Sequence, residues 1–281
     1  MAGLRWRWRG FVFPGDPLFD AETCGRIRFG RYATPERFRE GLVVSLDGVG
    51  GYNWGPRWLR RGLDEGGVRG AIVIYDWTVG PAGMFLADLV WHERNRTAAK
   101  HLADWIAAYV RAMPGRPVTL IGHSGGAAVA AWALEALPAH VRVQRAVLLA
   151  PALAPDYNLA RALRAVEDRL YAASSWADVG LMVAGTTVFG TMDRRHSPAA
   201  GFTGFRMPEG LAAEDHEAYE KVRQVRWTPS LARRGNLGGH MGWTTVRFAR
   251  EFLAPIVNGA SDPGDPILVR EGAAAGKGEP G

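Results

Sequence analysis

Gly122-His123-Ser124-Gly125-Gly126 is the stretch of this 281-residue chain best suited to chemistry. It follows the apolar run Val118-Thr119-Leu120-Ile121 and opens the small-residue run Ala127–Leu134. Strand, G-x-S-x-G, helix is the context in which a sharp turn lifts a serine hydroxyl clear of a sheet edge. Glycines beside the serine lack a Cβ and let strand and helix approach closely. A serine hydroxyl is a weak nucleophile at neutral pH. It needs a neutral imidazole to take its proton and a carboxylate to orient that imidazole.

Of the seven histidines, His240 is the best placed. It lies in Gly238-Gly239-His240-Met241-Gly242-Trp243, after the last expected strand and before the last expected helix. His123, inside the pentapeptide, is expected to point away from the serine and to pack or cap. The carboxylate has two candidates. Asp178 follows the expected strand 169–175, which keeps strands and helices alternating, and it is the first choice. Asp193, in Gly190-Thr191-Met192-Asp193, takes its place if residues 181–189 form a strand, as their composition allows.

A carbonyl under attack develops negative charge on oxygen and needs fixed donors. One expected donor is the backbone N–H of Gly125, next after the nucleophile. The other comes from the turn Asp47-Gly48-Val49-Gly50-Gly51, with Val49 first and Gly48 second. That turn does not read as a dinucleotide loop, because Asn53 stands where G-x-G-x-x-G requires glycine.

The elements that must position these residues follow from short apolar runs separated by glycine and proline. Expected strands are 41–46, 70–75, 117–121, 145–150, 169–174 and 221–227. Expected helices are 58–63, 97–113 with Thr97 as N-cap, 157–167, 179–188, 211–221 and 243–257. Strands alternating with helices imply βαβ units and a parallel sheet whose chemistry sits at the carboxyl ends of the strands. Residues 190–221 form the longest irregular connection. In it Gly201-Phe202-Thr203-Gly204-Phe205 reads either as a mobile cover over an apolar group or as an anchor to the core.

Composition narrows the class. The chain is 47% hydrophobic, which suits one sizeable domain. Residues 1–40 read as an arm with edge elements, 41–257 as the domain, and 258–281 as a disordered tail rich in Gly, Pro and Ala. Cys24 is the single cysteine, which excludes an intrachain disulfide and a cysteine-based zinc cluster. The net charge is +6, and all of the 34 basic residues but Lys100, Lys221 and Lys277 are arginine. They are scattered, so a nucleic-acid partner is not expected. Arg5-Trp6-Arg7-Trp8-Arg9 reads as an edge strand, with peripheral membrane contact as the less favoured alternative. With neither a signal peptide nor a membrane span read, the expected location is the cytoplasm.

The order Ser124, Asp178, His240, with the glycine-flanked serine and the glycine-rich turn, resembles the α/β-hydrolase superfamily across roughly residues 41–257. The segment Tyr171–Leu181 is similar to acid-bearing strand ends in lipase-like hydrolases of this fold. The resemblance implies an α/β fold with an eight-stranded, mostly parallel sheet, helices on both faces, and acyl transfer without cofactor or metal. Two departures stand out. Asp47 occupies a place where many members have histidine, and no large insertion follows 145–150, so no large cap domain is expected. The expected activity is cleavage of a small-molecule carboxylic ester through an acyl-enzyme on Ser124. The alternatives are a catalytically silent member that binds a ligand or partner, and an acyltransferase or perhydrolase sharing the same triad.

Overall fold

The computed structural model describes residues 6–8, 11–13, 26–80 and 85–266. Arg5, Arg9 and Cys24 and the tail residues 267–281 lie outside the described residues. In chain order the strands are β1 (Trp6–Trp8), β2 (Phe11–Phe13), β3 (Arg26–Arg28), β4 (Leu42–Leu46) and β5 (Ala71–Asp76). They continue with β6 (Val118–His123), β7 (Val143–Leu149), β8 (Val166–Ser174), β9 (Val222–Arg226) and β10 (Asp265–Pro266). The first helices are α1 (Pro35–Glu40), α2 (Trp54–Glu65), α3 (Phe85–Val90), α4 (His92–Ala112) and α5 (Gly125–Ala136). β1 and β2 form an antiparallel pair of their own. The other eight strands make one sheet in the order β10-β9-β8-β7-β6-β4-β5-β3. Its six inner strands are parallel, and the two outer ones, β3 and β10, run antiparallel to their neighbours.

Inner strands of such a sheet are covered on both faces, which explains why they read as continuous apolar runs. Alternate side chains divide between two cores. Leu42, Val44 and Leu46 of β4, with Ala146 and Leu148 of β7, enter the core shared with α4 and α5. Val43, Val147 and Leu149 enter the other, built with α2 and the helical segment 246–257. The register aligns Tyr75, Leu46, Gly122, Leu148, Ala172 and Gln224 in one row across the sheet. Asp47, Ser124 and Asp178 lie just beyond that row in sequence, and His240 is on the loop after β9. One sheet edge therefore gathers Ser124, Asp178, His240 and the 47–51 turn.

Several expected boundaries move. Helix α4 begins at His92, not at Thr97, whose hydroxyl bonds Glu93 O inside the helix. The first turn of α4 is polar, so apolar periodicity does not reveal it. The helix expected over 157–167 is short, Ala160–Arg164, and β8 starts at Val166. Residues 180–185 form one π-helical turn continued by the α-helix Thr186–Phe189, so the stretch that competed for a strand is helical. Part of the expected tail is structured: Asp265 and Pro266 pair with Gln224 and Arg223 of β9.

Residues 190–206 are tied to the loop after β7. Met192 N donates to Ala152 O, Ala200 N to Leu153 O, Gly201 N to Pro151 O and Arg206 N to Pro155 O. Phe205 is 3% exposed in the α4/α5 core, and its backbone is clamped by both side-chain amide atoms of Gln224. These contacts favour the anchor over the mobile cover. Phe205→Ala is expected to lower unfolding stability by about 3–5 kcal/mol, the cost of emptying a buried aromatic site. Denaturant unfolding measures the loss, and a preference for acyl-chain length should not change. Unaltered stability with a higher KM for long acyl chains alone would restore the cover.

Candidate active site

Ser124 joins β6 to α5 with φ 54° and ψ −121°, a conformation that side chains rarely adopt. Its backbone is held on both sides: Ser124 N donates to Leu149 O, and Ser124 O accepts from Ala127 N and Ala152 N. Two glycines make the turn possible. A Cβ on Gly122 would lie 2.5 Å from Gly126 O, and one on Gly126 would lie 2.2 Å from Asp47 O. The hydroxyl does not cap α5, so the strained turn presents it outward instead of spending it on the helix.

His240 sits on the loop after β9, beyond Gly238 and Gly239, both of which have positive φ. Its Nδ1 lies 2.6 Å from Oδ2 of Asp178, a carboxylate that is 3% exposed. Asp178 follows β8 at the position the strand reading requires, its N–H bonded to Ser175 O. Asp193 is elsewhere: its Oδ1 accepts from Ala154 N and from the Thr191 hydroxyl, tying the 190–195 turn to the loop after β7.

His123 is buried and packs against His240, ring centroids 4.6 Å apart and planes tilted by 49°. Its Nε2 donates to His240 O at 3.0 Å. It is therefore the group that holds the backbone of His240, in contact with the site and not simply turned away from it. The hydrogen bonds of His240 run to Asp178 and His123, and Ser124 Oγ is not among its partners. Catalytic hydrogen bonds commonly tighten only when substrate binds.

Burial lowers the His240 pKa from 6.5, and the nearby His123 adds to the effect; together they outweigh the opposing pull of Asp178 and Asp47. The ring is accordingly neutral at pH 7, as a general base must be.

The turn after β4 lies directly against Ser124. A Cβ on Gly48 would be 3.5 Å from Ser124 Oγ, and one on Gly125 would be 3.2 Å from Val49 Cγ1. Gly48 N–H is occupied by Asp47 Oδ1 at 2.9 Å. Gly50 N–H is occupied by Asp88 Oδ2 at 2.8 Å. Val49 N–H lies between these two engaged amides.

Two supports of this turn escaped sequence reading. Trp77, fully buried, donates from Nε1 to Asp47 O at 2.8 Å. Asp88, fully buried on α3, accepts from Gly50 N and, at 2.7 Å, from Val79 N. Burial raises the Asp88 pKa above 3.8, while the two backbone donors act in the opposite sense. An aspartate within Phe85-Leu86-Ala87-Asp88-Leu89-Val90 has no motif to announce it, and Trp77 reads as generic core.

A family model described as serine aminopeptidase, S33, matches residues 90–199, a span that includes Ser124 and Asp178. Lipase B of Aspergillus fumigatus is similar in structure, with TM-score 0.51 and 12% identity over 87% of this chain. The chain has the α/β-hydrolase fold. It spans 58% of the length of that lipase. An esterase of the planctomycete Thermogutta terrifontis gives TM-score 0.45 and 13% identity over 84% of each chain. A dienelactone hydrolase of Anabaena variabilis gives 0.45 and 14% over 82% of this chain and 88% of its own. No curated protein sequence matches the chain. Among the described residues no helix is long and apolar enough to cross a membrane.

Asp88→Asn keeps the shape of the side chain but places an amide where one of two backbone donors needs an acceptor. If the turn positions Val49, the variant is expected to lose about tenfold or more in kcat with little change in KM. Steady-state kinetics on a chromogenic ester checks this; an equal kcat would show that Asp88 does not support the turn.

Proposed function

We propose that this α/β-hydrolase cleaves carboxylic esters through an acyl-enzyme on Ser124. The observation that carries the reading is the buried Asp178–His240 pair at 2.6 Å, set on the same sheet edge as the strained Ser124. A carboxylate on Nδ1 fixes the tautomer that leaves Nε2 free to accept a proton. In this reading Ser124 Oγ attacks the ester carbonyl carbon while His240 Nε2 takes the hydroxyl proton. The tetrahedral oxyanion receives hydrogen bonds from Val49 N–H and Gly125 N–H, and the elbow strain that aims Oγ is present before substrate arrives. Collapse breaks the bond to the alcohol, which leaves with the proton from His240. Water then repeats the sequence on the acyl-enzyme, releasing the acid and free Ser124. The chemistry is complete with protein groups and water.

Exposed Trp54 and Trp176, on the segments after β4 and β8 that also lead to the site residues, suit an apolar acyl or alcohol group. A panel of p-nitrophenyl esters of graded chain length tests the proposal, with Ser124→Ala as control. The variant is expected to fold normally and to lose turnover by ~10⁴ or more. Asp178→Asn should lower kcat by orders of magnitude through the wrong imidazole tautomer, whereas Asp193→Asn should change it little. Retained activity in Ser124→Ala, or the reverse ranking of the two aspartates, would contradict the assignment.

The pH dependence is a separate check. Because His240 must be neutral and its pKa lies below 6.5, kcat/KM should fall only as pH drops through a value under 6.5. A limb centred above that value would mean that burial does not govern this imidazole.

A further inference from the structure

Large apolar side chains that remain exposed are not spread over the surface. Among the described residues there are thirteen, and all lie on segments that follow the carboxyl ends of strands or on the adjoining first two turns of α2. Trp54 and Trp58 come after β4, Leu86 and Trp91 after β5, Trp176 after β8 and Leu237 after β9. Leu237 is 81% exposed and Trp176 64%. The loops of the opposite edge, residues 66–70, 113–117, 138–142 and 258–264, contribute none: Val68, Met113 and Val141 there are buried. Single exposed apolar residues are ordinary, but their confinement to one end of a molecule marks an interaction face.

Charge on the segments that carry these side chains is one-sided, although Asp156 on the loop after β7 is also exposed. The four segments that carry the apolar residues, 47–58, 85–91, 175–196 and 226–241, hold four carboxylates and six arginines. Asp47, Asp88 and Asp178 are buried and Asp193 is half-buried in its hydrogen bonds to Ala154 and Thr191. Arg57, Arg194, Arg195, Arg226, Arg233 and Arg234 are all exposed. Arg195 alone of them has an ion-pair partner among the described residues, Asp156 at 3.4 Å. The exposed charge of these segments is therefore entirely positive. Tryptophan and aliphatic side chains interleaved with arginine match the boundary between acyl chains and anionic headgroups.

We propose that this rim docks the protein on an anionic lipid surface, with the mouth of the Ser124 site facing the acyl chains. The proposal builds on the hydrolase reading, because docking would deliver apolar esters to Ser124 without first dispersing them in water. A second copy fits the face less well, since a two-fold contact would set arginine against arginine. Nucleic acid would use the arginines but has no use for Leu86, Val90, Val188 and Leu237.

Binding is measured with Ser124→Ala protein, which separates docking from hydrolysis, by co-sedimentation with phosphatidylcholine vesicles with and without phosphatidylglycerol. The protein should partition onto the anionic vesicles with a blue shift of tryptophan emission. Partitioning should weaken as salt rises, since exposed charges are screened. Arg233→Gln with Arg234→Gln should weaken it by about twenty-fivefold, from about fivefold for each arginine at a charged surface. Trp176→Ser with Leu237→Ser should weaken it about tenfold or more and remove part of the blue shift. Both double variants should keep the parent's thermal unfolding. Absence of binding to either vesicle would overturn the proposal, as would binding that neither double variant reduces. Concentration-dependent dimerisation abolished by the same substitutions, without vesicle binding, would replace it with self-association. Binding to a single-stranded oligonucleotide but not to vesicles would likewise overturn it. Ester hydrolysis by the Ser124 parent is read separately, so either proposal can fail while the other stands.

Discussion

A Cβ on Gly126 would stand 2.2 Å from Asp47 O, and one on Gly122 would stand 2.6 Å from the Cα of Ala127. No side chain fits in those gaps, so β6, α5 and the turn after β4 meet at a closeness that only glycine permits. Everything at the site depends on this approach. It forces Ser124 into its positive-φ conformation, brings the 47–50 turn beside Ser124 Oγ, and sets Val49 against Gly125. The strain at Ser124 is sustained because neighbours on β7, on α5 and in the loop after β7 all bind its backbone.

Around this junction several polar groups are buried close together. Asp47 receives Gly48 N–H on its carboxylate and Trp77 Nε1 on its backbone oxygen. Its Oδ1 is 3.7 Å from His123 Nδ1, and the other nitrogen of His123 holds the backbone of His240. Asp88 fixes the far end of the turn through Gly50 while linking it to Val79. His240 and the 47–50 turn are thus held from the same buried region, where Asp47 and His123 approach each other. In the proposed reaction, donors and base fixed in advance would lower the reorganisation that the transition state demands.

The fold was legible where burial is symmetrical. β4, β5, β6 and β7 are buried on both faces, so each appears in the sequence as a short apolar run ended by glycine, proline or a polar turn. The tight turn at Ser124 was legible because close backbone approach demands glycine at particular spacings, and demand of that kind leaves a motif. Legibility failed where structure comes from tertiary pairing. The hydrogen bonds of Asp265 and Pro266 to β9 have no local signature, and the polar start of α4 hides from an apolar period. Residues 181–189 have strand-like composition, yet form a π-helical turn and an α-helix on an exposed flank where no neighbouring strand is available. The residues that hold the turn, Trp77 and Asp88, could not be read either, because one buried hydrogen bond from a distant element has no sequence spacing. The exposed apolar rim was hidden for a related reason: tryptophan in a sequence does not say which side of the surface it will occupy.

The central claim is that Ser124 carries the acyl group, and the direct measurement is the mass of the protein during turnover. Acid quenching within the first turnovers of a p-nitrophenyl ester, followed by peptide mapping, should find the acyl mass added to the peptide containing Ser124. The adduct should disappear as the substrate is consumed and should be absent from Ser124→Ala protein. Turnover with no adduct, or with the acyl group on another residue, would contradict the account.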